Sequence, residues 1–256
     1  MNPVRYAVDG GVATITLADE QNRNALGSDL VAGIADGLQR ASEDSGVRVI
    51  VLTHVGSVFC AGANLKERSA DPAAPASAAV SFDQLLTTIM TGPKPVVARI
   101  AGATMGGGLG LACAADITVA TVDAKFGFTE VRLGVAPAMI SVVCLPKMRR
   151  GDAMEAFLRG NRFSGARAAE LGLVSHAVAA EVLDAEVALI VDDLIQGGPA
   201  ALAAAKRLVN EVPTMSVADA FAWTSRYSAE LFASEEAAEG MRAFLEKRDA
   251  AWLPHD

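Results

Sequence analysis

Three consecutive stretches decide the fold class. They are Pro95-Val96-Val97-Ala98-Arg99-Ile100-Ala101, then Gly102-Ala103-Thr104-Met105-Gly106-Gly107-Gly108-Leu109-Gly110-Leu111-Ala112-Cys113-Ala114-Ala115, then Asp116-Ile117-Thr118-Val119-Ala120-Thr121. The first and last are short apolar runs, the pattern of strands buried on both faces. A helical pattern runs between them from about Gly107 to Ala115. Strand, glycine-rich loop, helix, strand is the signature of an α/β protein with parallel pairing.

Upstream, Val4–Val8 and Val12–Leu17 read as a hairpin about Asp9-Gly10-Gly11. A helix is predicted from Ser28 to Glu43, with Ser28 as N-cap and Leu30, Ile34, Leu38 and Ala41 on one face. Val47–Leu52 is a further buried strand. The Pro/Ala-rich segment Asp71–Ser77 is expected to be mobile. A helix from Ala78 to Met90 follows, with Phe82, Leu85, Leu86, Ile89 and Met90 on its apolar side. From about Ala138 onward the pattern is helical, near 138–148, 151–159, 165–171, 180–196, 200–211, 216–233 and 235–247. The break at Gly197-Gly198-Pro199 divides an expected core, residues 1–197, from a helical annex, residues 198–256.

Length and composition bound the rest. A chain of 256 residues makes one large domain or two small ones and buries about 70–75% of its unfolded surface. With 22 Lys plus Arg against 30 Asp plus Glu, the net charge is −8, which argues against nucleic-acid binding through phosphate neutralisation. The longest weakly polar stretch, between Arg99 and Asp116, is too short and glycine-broken to span a membrane. Cys60, Cys113 and Cys144 form neither a CxxC pair nor a metal spacing and read as buried free thiols. The N-terminus has no basic segment followed by an apolar run. These features predict a cytoplasmic protein with no membrane or nucleic-acid partner. His54, His176 and His255 are isolated and read as structural or surface residues.

The run Gly106-Gly107-Gly108-Leu109-Gly110 is followed by neither Lys-Ser nor Lys-Thr. It also lacks the third glycine of a dinucleotide fingerprint. Its glycines at a strand-to-helix junction serve one of two ends: a structural turn, or backbone N–H groups offered to a developing negative charge. A second loop, Phe59-Cys60-Ala61-Gly62-Ala63-Asn64-Leu65-Lys66-Glu67, has the same character, with a short helix expected from Asn64. Glu130 stands among Phe126, Phe128, Val131 and Leu133. Apolar surroundings would raise its pKa and suit proton exchange. The alternative is a solvated edge where Glu130 pairs with Arg132 or Lys125.

Taken together, these segments resemble the crotonase superfamily, the enoyl-CoA hydratase/isomerase family. The resemblance is carried by Arg23-Asn24-Ala25-Leu26, Phe59 to Lys66, Ala101 to Gly108, Ala114-Ala115-Asp116-Ile117, the Glu130 segment through Ser141, and Glu239 to Arg248. It implies a spiral of β-β-α units and a C-terminal helical region that packs trimers, often paired into hexamers. It implies an acyl-CoA thioester as substrate, with coenzyme A part of the substrate and no separate cofactor or metal. The two N–H groups that hold the thioester oxygen in the family fall on Ala63 and Gly107, and the catalytic glutamate falls on Glu130. Arg23, Ala25, Ala61, Ala63, Asn64, Leu65, Lys66 and Gly107 fall on substrate-binding positions, with Lys66 placed for phosphate. Lys247 and Arg248 match an element that reaches a neighbouring subunit's CoA.

One departure stands out. The first catalytic glutamate of typical hydratases falls on Gly110, which has no side chain. The aspartate of dienoyl-CoA isomerases is also missing, since Ala138 and Met139 follow Pro137. A second carboxylate, if any, would have to come from elsewhere, such as Glu67 or Asp83. One carboxylate suffices for Δ3-to-Δ2 isomerisation, while the Glu130–Ser141 run resembles hydratases. The expected activity is therefore enoyl-CoA hydration. Isomerisation is the alternative, and a weakly catalytic acyl-CoA-binding paralogue is a third reading.

Overall fold

The computed structural model describes residues 3–70 and 80–253. The chain opens with β1 (Val4–Asp9) and β2 (Val12–Leu17), paired antiparallel with Asp9 opposite Val12. Gly10 and Gly11 make the intervening turn at φ +53° and +80°, a backbone that L side chains adopt only with strain. Helix α1 (Ser28–Glu43) follows and buries Leu30, Val31, Ile34, Leu38 and Ala41. Its N-cap is Gly27, with Ser28 inside the first turn. The Glu67 carboxylate, arriving from another loop, accepts the Ser28 N–H at 3.1 Å.

Three β-β-α turns come next, each contributing one long and one short strand. They are β3 (Val49–His54) with β4 (Val58–Cys60), β5 (Val96–Ile100) with β6 (Ala103–Met105), and β7 (Ile117–Thr121) with β8 (Lys125–Gly127). Helices α2 (Leu65–Ala70) and α3 (Phe82–Thr91) follow the first pair. Helix α4 (Gly107–Ala114) follows the second and α5 (Ala138–Cys144) the third. The long strands build a six-stranded sheet, ordered β1-β2-β3-β5-β7-β10, with β10 at His176–Val178. The short strands build a second sheet, ordered β4-β6-β8-β9, with β9 at Arg162–Ser164. Each turn stacks parallel on the one before, so a mixed α/β spiral results.

Both faces of the large sheet are covered, as the continuous apolar runs require. Ile50 and Leu52 of β3 face the main core with α1, whereas Val49 and Val51 face the other way. Helix α8 (Leu183–Gln196) covers that second face with Leu183, Val187, Val191 and Ile195, one residue per turn. Between α5 and α8 lie α6 (Arg150–Arg159) and α7 (Gly165–Glu170). After the 197–198 break come α9 (Pro199–Glu211), α10 (Val217–Phe232) and α11 (Glu235–Glu246).

The annex is fastened to the core at specific points. Lys206 of α9 is nearly buried and donates to the Ile89 carbonyl (2.7 Å) and to Asp116 Oδ2 (2.8 Å). The same Asp116 oxygen accepts the Val96 N–H at 2.7 Å. Glu236 of α11 accepts the first N–H groups of α9, those of Ala200 and Ala201. Arg48 donates to the carbonyls of Gly197 and Trp252, and the Trp252 indole N–H donates to Gln196.

Several expectations need correction. The predicted helix at 138–148 divides into α5 and a 3-10 turn at Leu145–Lys147, where Pro146 interrupts the α-helical ladder. The short helix expected at Asn64 begins at Leu65. The resemblance implies two sheets, but the individual strands of the small one are not legible, because three residues carry no detectable periodicity. The helix predicted from Ala78 starts only at Phe82, where Ser81 caps it, and the Asp71–Ser77 segment, residues 78–79 and His255 lie outside the described residues. Among the described residues, no single helix is long and apolar enough to cross a membrane.

Candidate active site

The site begins with an unusual turn before α1. Arg23 and Asn24 both adopt left-handed φ, +55° and +51°. Such a conformation costs an ordinary L residue roughly 1–2 kcal/mol, and Asn tolerates it best. The Asn24 side chain stabilises the turn. Fully buried, it accepts the Asp19 N–H at 2.9 Å and donates to the Val58 carbonyl at 2.8 Å. This ties the turn to β4, and the next residues extend the tie. Ala61 N–H donates to the Arg23 carbonyl, Leu26 N–H to Gly62, and Asn64 N–H to Leu26. Leu26 and Ala63 thereby form a parallel bridge. The bridge employs the N–H groups of Leu26 and Asn64, so the Ala63 N–H points away from it.

The second loop meets the first directly. Gly62 sits at φ +89°, and a Cβ there would lie 3.1 Å from the Met105 carbonyl oxygen and 3.6 Å from the Gly107 nitrogen. Gly106 is anchored by its N–H to the Gly127 carbonyl (3.1 Å), and Leu109 N–H returns to Gly106 (2.8 Å). Gly107 is the first residue of α4, so its N–H has no partner within the helix. Among the described residues, neither the Ala63 nor the Gly107 N–H donates to another backbone group across the loops. The two loops thus touch, and the Gly107 N–H lies at the positive end of a helix, where it favours negative charge.

Glu130 lies in a 3-10 turn, Thr129–Leu133, directly after β8. A Cβ on Gly106 would be 2.9 Å from Glu130 Oε1, so the carboxylate rests against the glycine loop. Its Oε2 is buried without a hydrogen-bond partner. Burial pushes the Glu130 pKa up. The alternative of a solvated ion pair is not realised. Arg132 turns to the Arg159 carbonyl, and Lys125 is exposed. Phe126 and Phe128 are fully buried behind Glu130, whereas Leu133, expected among its apolar neighbours, is 59% exposed.

The α4 face at Gly110 is apolar. A Cβ there would lie 2.6 Å from Ile140 Cγ2 and 3.3 Å from Phe82 Cζ. Neither suggested substitute carboxylate comes to it. Glu67 is engaged by Ser28 N–H and by Asn64 Nδ2 (2.7 Å), and Asp83 is exposed at the start of α3. Asn24, Phe82 and Ile140 were not singled out as members of the site, although each lies in a segment the sequence marks: Asn24 in the Arg23–Leu26 motif, Phe82 on the apolar side of the helix before Met90, and Ile140 in the Glu130–Ser141 run.

The remaining predicted residues fall in two places. Arg23, Ala25, Ala61, Ala63, Asn64, Leu65 and Lys66 cluster around the first loop pair, with Arg23, Ala63, Leu65 and Lys66 exposed. Lys247 caps α11 in the left-handed conformation and is exposed in the annex. Its neighbour Arg248 is held within the same chain by Glu239 and Glu246. The three cysteines are free and buried, and burial pushes the Cys60 thiol up to about 12. His54 is also structural: its Nε2 accepts the Ala101 N–H at 3.1 Å. Among the described residues no group of His, Cys, Asp and Glu could hold a metal ion.

The fold and site define an α/β spiral with paired backbone donors, and comparison with known proteins identifies its family. The family model for enoyl-CoA hydratase/isomerase matches residues 7–254. A probable enoyl-CoA hydratase of Bacillus subtilis is 35% identical over 253 residues, covering 97% of both chains. The crystal structure of an enoyl-CoA hydratase from Mycobacterium smegmatis superposes with TM-score 0.89 at 30% identity, over 99% of this chain and 100% of that one. AtuE from Pseudomonas aeruginosa superposes with TM-score 0.90 at 31% identity, over 98% of this chain and 100% of that one. The chain belongs to the enoyl-CoA hydratase/isomerase family, the crotonase superfamily. Its activity is accordingly of the crotonase type, on acyl-CoA substrates.

Proposed function

We propose that the protein hydrates trans-2-enoyl-CoA thioesters with Glu130 as its single acid–base group. The observation that carries this reading is the buried, unpartnered Glu130 Oε2 beside the Gly106–Gly107 loop. The Ala63 and Gly107 N–H groups receive the thioester oxygen and stabilise the enolate that forms there. Glu130 takes a proton from water as the water oxygen bonds to C3. The electron pair of the double bond moves onto the thioester oxygen. The same carboxyl then returns its proton to C2, so water is added with atoms and charge conserved. Delivery of both parts by one group predicts addition to one face of the double bond. The raised Glu130 pKa suits both halves of the cycle. Lys66, with Arg23 and Asn64 nearby, serves the CoA portion, and Lys247 serves it from a neighbouring subunit in a homotrimer or hexamer. No cofactor takes part.

A second reading is favoured by the apolar wall at Gly110. Without a second acid, Glu130 can move a proton from C2 to C4 and convert a 3-enoyl into a 2-enoyl thioester. Conjugated enoyl-thioester absorbance separates the two. Its loss from trans-2-enoyl-CoA, with water incorporated at C3, supports hydration. Its gain from 3-enoyl-CoA supports isomerisation. If Glu130→Gln leaves both rates unchanged, the assignment of Glu130 is wrong.

A further inference from the structure

Each glycine at the start of α4 is covered by one or two specific side chains. Glu130 lies over Gly106, Leu26 and Phe82 over Gly107, Cys60 behind Gly108, and Ile140 over Gly110. The first and last covers come from one segment, since Glu130 and Ile140 flank the Gly134–Pro137 turn. That segment presents a carboxylate at one end of the α4 face and a hydrocarbon at the other.

The contact at Gly110 is close and stiff. The atom nearest a hypothetical Cβ is a γ-carbon of Ile140, and the Ile140 Cβ follows at 3.4 Å. Ile140 is 3% exposed, and a β-branched side chain on a helix keeps essentially one rotamer. Phe82 closes the same space from α3, and its ring also reaches Gly107 (3.5 Å from a Cβ there). The absent acid at 110 is therefore matched by a side chain that fills its place.

We propose that Ile140 is a specificity-determining residue that sets the partition between hydration and double-bond isomerisation. With Phe82 it seals the Gly110 face of α4. It excludes a second carboxylate and the water that such a group would hold, and leaves Glu130 as the sole proton carrier. This inference rests on the reading of Glu130 given above.

The test compares Ile140→Ala, Gly110→Glu and the double variant with the parent protein. Each is assayed with trans-2- and 3-enoyl-CoA, and folding is followed by circular dichroism. Ile140→Ala is expected to raise the hydration-to-isomerisation ratio by on the order of tenfold, as water gains a place beside C3. Gly110→Glu alone is expected to lose thermal stability and turnover, because its Cβ meets Ile140. The double variant is expected to recover both and to have the highest ratio, a coupling beyond the sum of the single changes. An unchanged ratio in folded Ile140→Ala overturns the proposal. If the double variant does not fold, Gly110→Ala supplies the packing test. It should lower the melting temperature in the parent and by less in the Ile140→Ala background; additive shifts overturn the seal. A parent protein that turns over neither substrate defeats the functional reading, and the partition falls with it. The melting experiment then still reports separately on the seal.

Discussion

The Glu130 carboxylate occupies the space where a side chain on Gly106 would begin: a Cβ at 106 would stand 2.9 Å from Glu130 Oε1. Gly106 also has φ +50°, so a substitution there meets strain in addition to the carboxylate. Gly106→Ala is expected to displace Glu130 and to lower turnover by on the order of a hundredfold, the penalty for misplacing a reacting group by about 1 Å. At φ +50° and ψ −116°, outside the left-handed helical well, the backbone strain adds about 1–3 kcal/mol of destabilisation. Steady-state kinetics beside thermal unfolding measures both; normal turnover would show that Glu130 need not touch the loop.

Glu130→Gln keeps the shape of the side chain and removes its basicity. Turnover of the preferred enoyl thioester should fall by about 10²–10⁴-fold, with substrate affinity little changed. In the parent, turnover should decline as pH falls through the raised Glu130 pKa, because the base is then protonated. The acid limb should lie above the ordinary glutamate range and should be absent from any residual Glu130→Gln activity. A pH–rate profile of kcat/KM for both proteins decides.

The same buried carboxylate bears on stability. Its folded pKa is raised, so the native state holds its proton to higher pH than the unfolded chain. Stability from this group is complete at low pH and is lost as pH rises through the folded pKa. Glu130→Gln should therefore melt higher than the parent near neutral pH, by about 2–4 °C for each kcal/mol relieved in a chain of this size. The difference should vanish in acid. A pH series of melting temperatures tests the sign, and a constant difference would contradict it.

Asn24 holds the turn that carries Leu26 and Ala63. Asn24→Ala removes three side-chain bonds, a long one to the Val55 carbonyl among them, and leaves the Val58 carbonyl and Asp19 N–H without those partners. The expected cost is about 1–3 kcal/mol, because the two groups left unpaired are only partly buried and water can reach them in part. Turnover should fall further than stability requires, since the Ala63 donor is set by this turn. Urea unfolding and kcat give the two readouts.

Lys206→Met should cost about 1–3 kcal/mol by leaving the partly buried Asp116 carboxylate without its ammonium partner, though still with the Val96 N–H. Burial already pushes the Asp116 pKa up, so the variant should lose additional stability at higher pH, where Asp116 must ionise. Adding Asp116→Asn should recover part of the loss. Equilibrium unfolding of the single and double variants measures it.

Much of this molecule follows from local pattern. The hairpin about Gly10-Gly11, the face of α1, the buried runs of β3, β5 and β7 and the helical annex arise from periodicity and turn chemistry, which act between near neighbours in sequence. The glycine loops were legible for the same reason, whereas the gap at Gly110 shows only through the resemblance to the family. The short strands of the second sheet were not. Val58–Cys60, Ala103–Met105 and Lys125–Gly127 exist because successive turns of the spiral lie side by side. Three residues contain too little periodic signal to announce a strand.

Leaving position 110 without an acid is a property of the sequence alone. Tertiary structure decided what replaces that acid. Ile140 and Phe82 come from two other helices, and only packing brings them onto the Gly110 face. Glu130 was visible as a carboxylate among aromatics, but its own residues fitted a solvated ion pair as well as a proton-exchanging base, and only the fold turned Arg132 away and enclosed Oε2. Composition and spacing specify which groups a chain owns. Their pKa values, partners and free donors depend on contacts between residues far apart in sequence, and those are set when the spiral closes.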